Sequence, residues 1–570
     1  MRPKRHAWPH PRPTLPALLL GLTLAACVDG GEHREIVAPE ATSASGAAAE
    51  AASQRGAAVG EYIVVLAPGE APGPGVANRA RALEVAEQLG AAPGHAYGTA
   101  LFGFSARIPA ARLQILERDP RVLRIEPVED WTLDVLGAAQ GALPPTGVRR
   151  IGADRNPTVS MDGSGSAPVG VAVAIIDSGI DPGHPDLNVA GGHNLSSGPR
   201  HDWSDGNGHG THVAGTVGAN DNGSGVVGVA PGTPLWAVRV CRANGSCGTN
   251  DIVAGLDWVA EQKRLGAVDF AAANFSIGSV DTDRTCDAPE NAVHRAICGV
   301  VDTGVAVVMS VGNEGRVRSP FPEGISVSAI ADFDGAAGGA ATPTCRNDVD
   351  DTLASFSNHG ERIDLAAPGS CILSTLPGGY GVLSGTSMAA PHVTGAVALH
   401  LHANGLSPAS DRAGVEALRA ALVSAALPQG TGANECSYDD PRTGGPLLFV
   451  NGPAFGGDGA CPLPGDGFGP APTDPEIDAL QVDARTTGPW ARVDVDWKVR
   501  HPHGGELAYV ETHLRDSHGR LLDSRFTSVS GLEASGTHRL RVRDEDTILL
   551  QFVVHGSEGT STVEERTLVF

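Results

Sequence analysis

The run Val169-Gly170-Val171-Ala172-Val173-Ala174-Ile175-Ile176-Asp177-Ser178-Gly179 limits the fold more than any other stretch. It is apolar without alternation, then stops on a carboxylate and a glycine. A strand buried on both faces has this pattern, as in a parallel sheet covered by helices. Further strand-like runs lie at Leu235–Val240, Phe270–Ile277 and Val305–Val311, with helical periodicity over Asp251–Lys263 and Asn291–Val301 between them. Alternating strands and helices predict an α/β fold with a mostly parallel sheet flanked by helices. Ligands of such sheets bind beyond the carboxyl ends of the strands, where Asp177 lies. An Asp that merely caps the next turn is the plain alternative.

Two later stretches carry chemistry. In Gly208-His209-Gly210-Thr211-His212-Val213-Ala214-Gly215, a histidine enclosed by small residues opens a helix through Val217. Glycines around it make core filling a poor explanation. In Ser384-Gly385-Thr386-Ser387-Met388-Ala389-Ala390-Pro391, Ser387 stands at the mouth of a helix reaching His402. Free backbone N–H groups and the helix dipole favour negative charge there, as on the oxyanion of acyl transfer. Pro391 cannot donate to the Ser387 carbonyl, so the first turns should be irregular.

These segments resemble the three signatures of the subtilisin family of serine peptidases, in the family's Asp…His…Ser order. The resemblance spans roughly Ala139 to Gly452. It implies a subtilisin-like fold and a serine endopeptidase working through an acyl-enzyme. Ser387 would be the nucleophile, His209 the general base and Asp177 its orienting partner. Asn313, in Ser310-Val311-Gly312-Asn313-Glu314, would donate to the oxyanion beside the Ser387 N–H. Ser276, Ile277, Gly278 and Gly312 would bind substrate. Ile277 and Gly312 suggest an apolar, open pocket, and nothing at these positions predicts strict basic specificity. The chemistry would need no cofactor. Asp186 and Asn222 match positions that bind structural calcium in some members, although both residues are also ordinary turn formers. Substrates would be proteins or peptides. A degenerate, non-catalytic binding protein and an esterase are the competing readings.

The chain ahead of this segment reads as an export and inhibitor module. Arg2, Lys4, Arg5 and Arg12 precede an apolar stretch, Leu15 to Ala26, too short for a permanent membrane anchor. Residues 1–26 are therefore expected to be a signal peptide. Its end, Leu24-Ala25-Ala26-Cys27, resembles a bacterial lipobox, whose cysteine is lipidated; an ordinary signal cut near Ala26 is the alternative. Residues 27–58 look like a disordered tether. Residues 59–132 then read β-α-β-α-β: Glu61–Leu66, Ala77–Leu89, Phe102–Ile108, Ala110–Arg118 and Val122–Pro127. Ala82, Leu83, Val85, Ala86 and Leu89 share one face of the first helix. This small α+β unit resembles the inhibitory propeptide of the same family, which implies a self-processing zymogen cut between Trp131 and Pro145. An anchor on Cys27 would belong to the propeptide, and maturation would release the peptidase.

Composition sharpens the setting. A formal net charge of −24 argues against a nucleic-acid partner. Setting Cys27 aside from nine cysteines leaves an even number in a chain expected to be exported from a bacterial cell, to the envelope or beyond. Their local spacings suggest disulfides Cys241–Cys247, Cys286–Cys298, Cys345–Cys371 and Cys436–Cys461. The peptidase domain is expected over 140–453 and a Gly/Pro-rich linker over 454–474. Short alternating runs over 475–570, clearest in Trp490–Val499, predict an immunoglobulin- or fibronectin-like β-sandwich with a stabilising or spacing role. A monomer is expected, with the membrane touched only through a lipid.

Overall fold

The computed structural model describes residues 59–462 and 476–569, apart from 134–135, 138–144, 160, 166–167, 279–281, 283, 339–340, 431–435 and loops of the last segment. The expected signal peptide, Cys27, the tether and the linker from 463 onward lie outside the described residues.

The apolar run becomes strand Val173–Asp177, every residue buried, near the middle of an eight-stranded sheet. Across the sheet, Val189–Asn194, Leu235–Arg239, Val173–Asp177, Ala272–Phe275, Ala306–Ser310, Ile325–Ala331 and Leu365–Pro368 run parallel, and the short strand Thr352–Leu353 is antiparallel to Ile325–Ala331. Helices His209–Gly218, Thr249–Arg264, Ala292–Asp302, Thr386–Asn404 and Arg412–Ala425 accompany it. Asn291 caps the third of these, its side chain accepting from the His294 N–H. The central strands are mostly apolar because both faces of the sheet are covered there.

The first unit folds as a four-stranded antiparallel sheet in the order Ala92–Tyr97, Gly103–Pro109, Val59–Leu66, Val122–Pro127, with helices Val76–Gln88 and Ala110–Leu116. The strand Ala92–Tyr97 was not legible in the sequence, since Pro93 and Gly94 break its pattern. In Val59–Leu66, Val64 and Leu66 pack with the unit's own helices, while Ile63 and Val65 join the core of the large sheet domain. A strand buried on both faces explains the unbroken apolar run Ile63–Leu66. Leu83 departs from expectation: it is 45% exposed, whereas Ala82, Val85, Ala86 and Leu89 are buried. One helical position separates it from the buried stripe.

Helix Thr249–Arg264 holds this unit. The buried Asp257 carboxylate accepts the backbone N–H groups of Gly98, Thr99 and Ala100 at 3.1, 2.5 and 2.7 Å, and Arg79 bridges Asp257 and Glu261. Beyond the unit, Asp130–Thr132 pairs antiparallel with Ser246–Gly248, and Leu136–Gly137 pairs with Leu383–Ser384.

All four disulfides form with the pairing the spacings suggested. At the C-terminal end, seven strands make a three-stranded and a four-stranded antiparallel sheet. Alternating Val493, Val495, Trp497 and Val499 from one sheet meet Val510, Leu514, Leu550 and Phe552 from the other. This is sandwich packing of two inner faces.

Candidate active site

Three adjacent central strands deliver the site. Val173–Asp177 ends on Asp177, Ala272–Phe275 runs into Ser276–Gly278, and Ala306–Ser310 runs into Gly312 and Asn313. Their carboxyl ends face the same edge because the strands are parallel. The helices His209–Gly218 and Thr386–Asn404, packed together, begin at that edge.

His209 Nδ1 lies 2.9 Å from both carboxylate oxygens of Asp177, and neither side chain is exposed. Asp177 Oδ1 also accepts the Ser178 N–H at 2.7 Å. The approach requires a glycine next door. A Cβ on Gly210 would lie 2.2 Å from the Gly179 carbonyl oxygen and 3.1 Å from Asp177 Cβ. Asp205 ties the turn ahead of His209, accepting Gly208 N–H, Thr211 N–H and the Ser178 hydroxyl at 2.9, 2.9 and 2.8 Å. His212, one turn on, is fully buried, with Nε2 2.8 Å from the Ile372 carbonyl. Burial pushes it down to about 3, so it stays neutral and structural.

Ser387 is the second residue of its helix and 5% exposed, its hydroxyl donating to the Ser276 carbonyl at 3.2 Å. Pro391 lies inside the helix, which runs unbroken over Thr386–Asn404 and does not show the irregular first turns expected from the sequence. The Ser387 carbonyl that Pro391 cannot serve takes the Ser276 hydroxyl at 3.0 Å instead. That hydroxyl accepts from Asn274 Nδ2, and Asn274 Oδ1 accepts the Thr394 hydroxyl, both at 2.9 Å. Strand and helix are thereby locked in register around Ser387.

Asn313 is oriented by its neighbour to Ser387. Its Oδ1 accepts the Thr386 N–H at 2.8 Å and the Thr386 hydroxyl at 2.9 Å, and that hydroxyl accepts the Gly312 N–H at 3.0 Å. With Oδ1 engaged, the Nδ2 donors are the face the amide can offer a ligand; this orientation follows from the hydrogen bonds. The chemistry available is proton removal at Nε2 of a carboxylate-oriented imidazole, a serine at a helix N-terminus, and an amide donor.

The expected substrate residues Ser276, Ile277, Gly278 and Gly312 all lie at this edge; Ser276, Ile277 and Gly312 are buried. Gly278 has φ +54, and a Cβ there would come within 3.1 Å of Trp131. The sequence reading missed the loop after Asn313. Glu314 Oε2 meets Arg318 Nη2 at 3.2 Å and also takes Asn358 Nδ2. Burial opposes its ionisation, yet Asn358 and Arg318 hold Glu314 below the usual carboxylate range.

Asp186 and Asn222 come together away from the triad edge. Asn222 Nδ2 donates to Asp186 Oδ1, and Val226 N–H to Oδ2, both at 2.9 Å. Asp186 is 1% exposed, and burial pushes it up to about 7. A buried carboxylate in a loop of oxygen-bearing residues, with no cationic partner among the described residues, fits a hard cation such as calcium. Asp332, Asp334 and Asp350 also bring carboxylate oxygens within 4.8 Å of one another, with Arg150 against Asp332 at 3.1 Å. Cys286, His294, Cys298 and Glu323 cluster too, but the two cysteines are joined as a disulfide.

Comparison with known proteins places the chain. Residues 169–448 match the model of the subtilase family. Subtilisin E of Bacillus subtilis is 34% identical over 306 residues, covering 52% of this chain and 70% of that protein. The alkaline protease of Shouchella clausii is 38% identical over 296 residues, covering 52% and 68%. A cold adapted subtilisin-like serine proteinase of known structure is 30% identical, covers 53% of this chain and 97% of that one, and has a TM-score of 0.40.

Proposed function

Because the chain belongs to the subtilase family and is a serine peptidase of that kind, we propose that it is an exported endopeptidase made as a self-processing zymogen, with Ser387, His209 and Asp177 as its triad. The observation that carries this reading is the fully buried His209–Asp177 pair at 2.9 Å, on the same sheet edge as Ser387 and Asn313.

In the reaction, His209 Nε2 takes the Ser387 hydroxyl proton as Oγ attacks the scissile carbonyl. Asp177 holds Nδ1 protonated and stabilises the imidazolium that forms. The oxyanion is met by Asn313 Nδ2 and the Ser387 N–H. His209 then gives its proton to the leaving amine, and water repeats the sequence on the acyl-enzyme. No cofactor takes part. Asp186 and Asn222 would hold a structural calcium, which would fasten the loop around Asn222.

Residues 59–132 would act as an intramolecular inhibitor. The paired strands Asp130–Thr132 and Leu136–Gly137 support this, since their partners Ser246–Gly248 and Leu383–Ser384 lie on two sides of the edge, the latter three residues before Ser387. The self-cleaved bond then lies between Leu133 and Leu136. Export is supported by the four disulfides, which persist in oxidising surroundings. A lipid on Cys27 would anchor the precursor through its propeptide, and cleavage would free the enzyme.

Labelling with a fluorophosphonate tests the core of this reading. The matured wild type should label and Ser387→Ala should not, remaining instead at precursor length. A folded wild type that neither labels nor cleaves peptides would refute it. N-terminal sequencing of the matured chain locates the processed bond.

A further inference from the structure

On the zymogen reading, the residues just ahead of the self-cleaved bond are a substrate already in place. Asp130–Thr132 pairs antiparallel with Ser246–Gly248, with Trp131 opposite Cys247, and Leu133 N–H donates to the Gly245 carbonyl at 2.9 Å. Trp131 also lies against Gly278, where an added Cβ would come within 3.1 Å of its ring. Gly278 is two residues beyond Ser276, whose hydroxyl and carbonyl both bond Ser387. The tail therefore touches two backbone segments, one of them residues 245–248. Strand addition of this kind draws affinity from main-chain bonds.

That receiving edge stands apart from the eight-stranded sheet. It forms a two-stranded sheet whose other strand is the tail itself, which departs when the propeptide leaves. Besides the helix Thr249–Arg264 that follows it, the edge keeps a tight turn and a covalent tie. Arg242 N–H donates to the Ser246 carbonyl at 2.8 Å, and Gly245 N–H returns to the Arg242 carbonyl at 2.9 Å. The Cys241–Cys247 disulfide closes this turn across residues 242–246. Both cysteines are fully buried in the main core. Cys241 follows strand Leu235–Arg239, the parallel neighbour of Val173–Asp177, and its N–H donates to the Asp177 carbonyl at 3.2 Å. The bond thus joins the segment seated on Asp177 to the segment that meets the substrate.

We propose that the Cys241–Cys247 disulfide is a positioning element for extended substrates: it holds residues 245–248 in the shape that accepts a strand, so that peptides long enough to reach this edge bind better and shorter ones gain nothing. This deepens the peptidase reading and rests on it. A three-residue edge without its partner would otherwise be ordered anew at each binding event, and binding must supply the free energy of fixing that backbone. A closed loop has fewer shapes to lose. Every substrate meets the acyl-transfer groups, so the benefit falls on KM and grows with substrate length.

The test uses the matured enzyme, its active sites counted by fluorophosphonate titration, on two esters with the same leaving group and the same last residue, chosen as the one the wild type cleaves fastest from a panel of single-residue esters. One substrate carries that residue alone on the acyl side and the other carries six residues. Cys241→Ser/Cys247→Ser should lower kcat/KM on the six-residue ester by about tenfold through KM, the order of magnitude of ordering one backbone residue. Its kcat there, and both constants on the one-residue ester, should match the wild type. Because both positions are buried, Cys241→Val/Cys247→Val, which refills the space without the bond, is measured beside it and should behave alike. An equal loss on both esters, or no loss on either, overturns this inference and leaves the peptidase reading standing. So does a failure of both variants to titrate, which would make the bond a folding element only. A wild type that neither labels nor hydrolyses any ester overturns the peptidase reading itself.

Discussion

The Ser276 hydroxyl donates at 3.0 Å to the Ser387 carbonyl, the group that Pro391 leaves without its helical N–H donor. One side chain from the sheet thus completes the first turn of the helix that carries the nucleophile. Ser276→Ala would strand a buried carbonyl. Its expected cost is about 1–3 kcal/mol in chemical denaturation, with kcat falling more than KM rises because Ser387 loses its seat.

Asn313 depends on Thr386 for its orientation. Asn313→Leu is expected to lower kcat by about 10²–10³ with KM little changed, the magnitude known for this donor in subtilisin itself. Thr386→Val removes the hydroxyl that bridges Gly312 and Asn313 and should lower kcat in the same direction by a smaller factor. Steady-state kinetics at matched active-site concentration separates these effects from folding losses.

One carboxylate, that of Asp257, gathers several of the contacts that hold the first unit to helix Thr249–Arg264. Asp257→Ala leaves three backbone N–H groups without their acceptor and Arg79 with Glu261 alone, a loss of about 2–5 kcal/mol for a buried charged contact. Activity should then appear sooner after self-cleavage, because the severed unit leaves faster. A time course of peptide hydrolysis against band pattern checks it; unchanged timing would remove Asp257 from the inhibitory contact.

Asp186 predicts a pH dependence of unusual sign. Its carboxyl is raised from 3.8 to about 7, so the folded state holds a proton that the unfolded chain has released. Its contribution is therefore fully present below pH 3.8 and is lost as pH rises towards 7. In chelator, Asp186→Asn should gain on the wild type by up to about 1.4 kcal/mol per pH unit across that window and level off above it. Millimolar calcium should reverse the order at pH 8, where the wild-type carboxylate is free to bind. Urea midpoints at several pH values measure both.

Much of this protein is written locally. The apolar run to Asp177 demanded a strand covered on both faces. Glycines around His209 and before Ser387 marked places where backbone must approach closely, and close cysteine spacings sufficed for the disulfides, because short loops leave few partners within reach. Alternation in Trp490–Val499 exposed the two-faced sandwich strand. Strand Ala92–Tyr97 escaped, since pairing with Gly103–Pro109 overrode the poor propensity of Pro93 and Gly94. Leu83 was assigned inward one position beyond the stripe that packing buries.

What the sequence determined alone was the set of reactive groups and the layered architecture, because periodicity and backbone-permissive residues act over a few positions. Tertiary structure alone decided which groups face one another. Asn313 offers its amide nitrogens because Thr386, far along the chain, occupies its oxygen. The Asp257 carboxylate takes the N–H groups of Gly98, Thr99 and Ala100, at least 157 residues earlier in the chain. Such contacts are made between segments that meet only in space, and no window of sequence contains both partners.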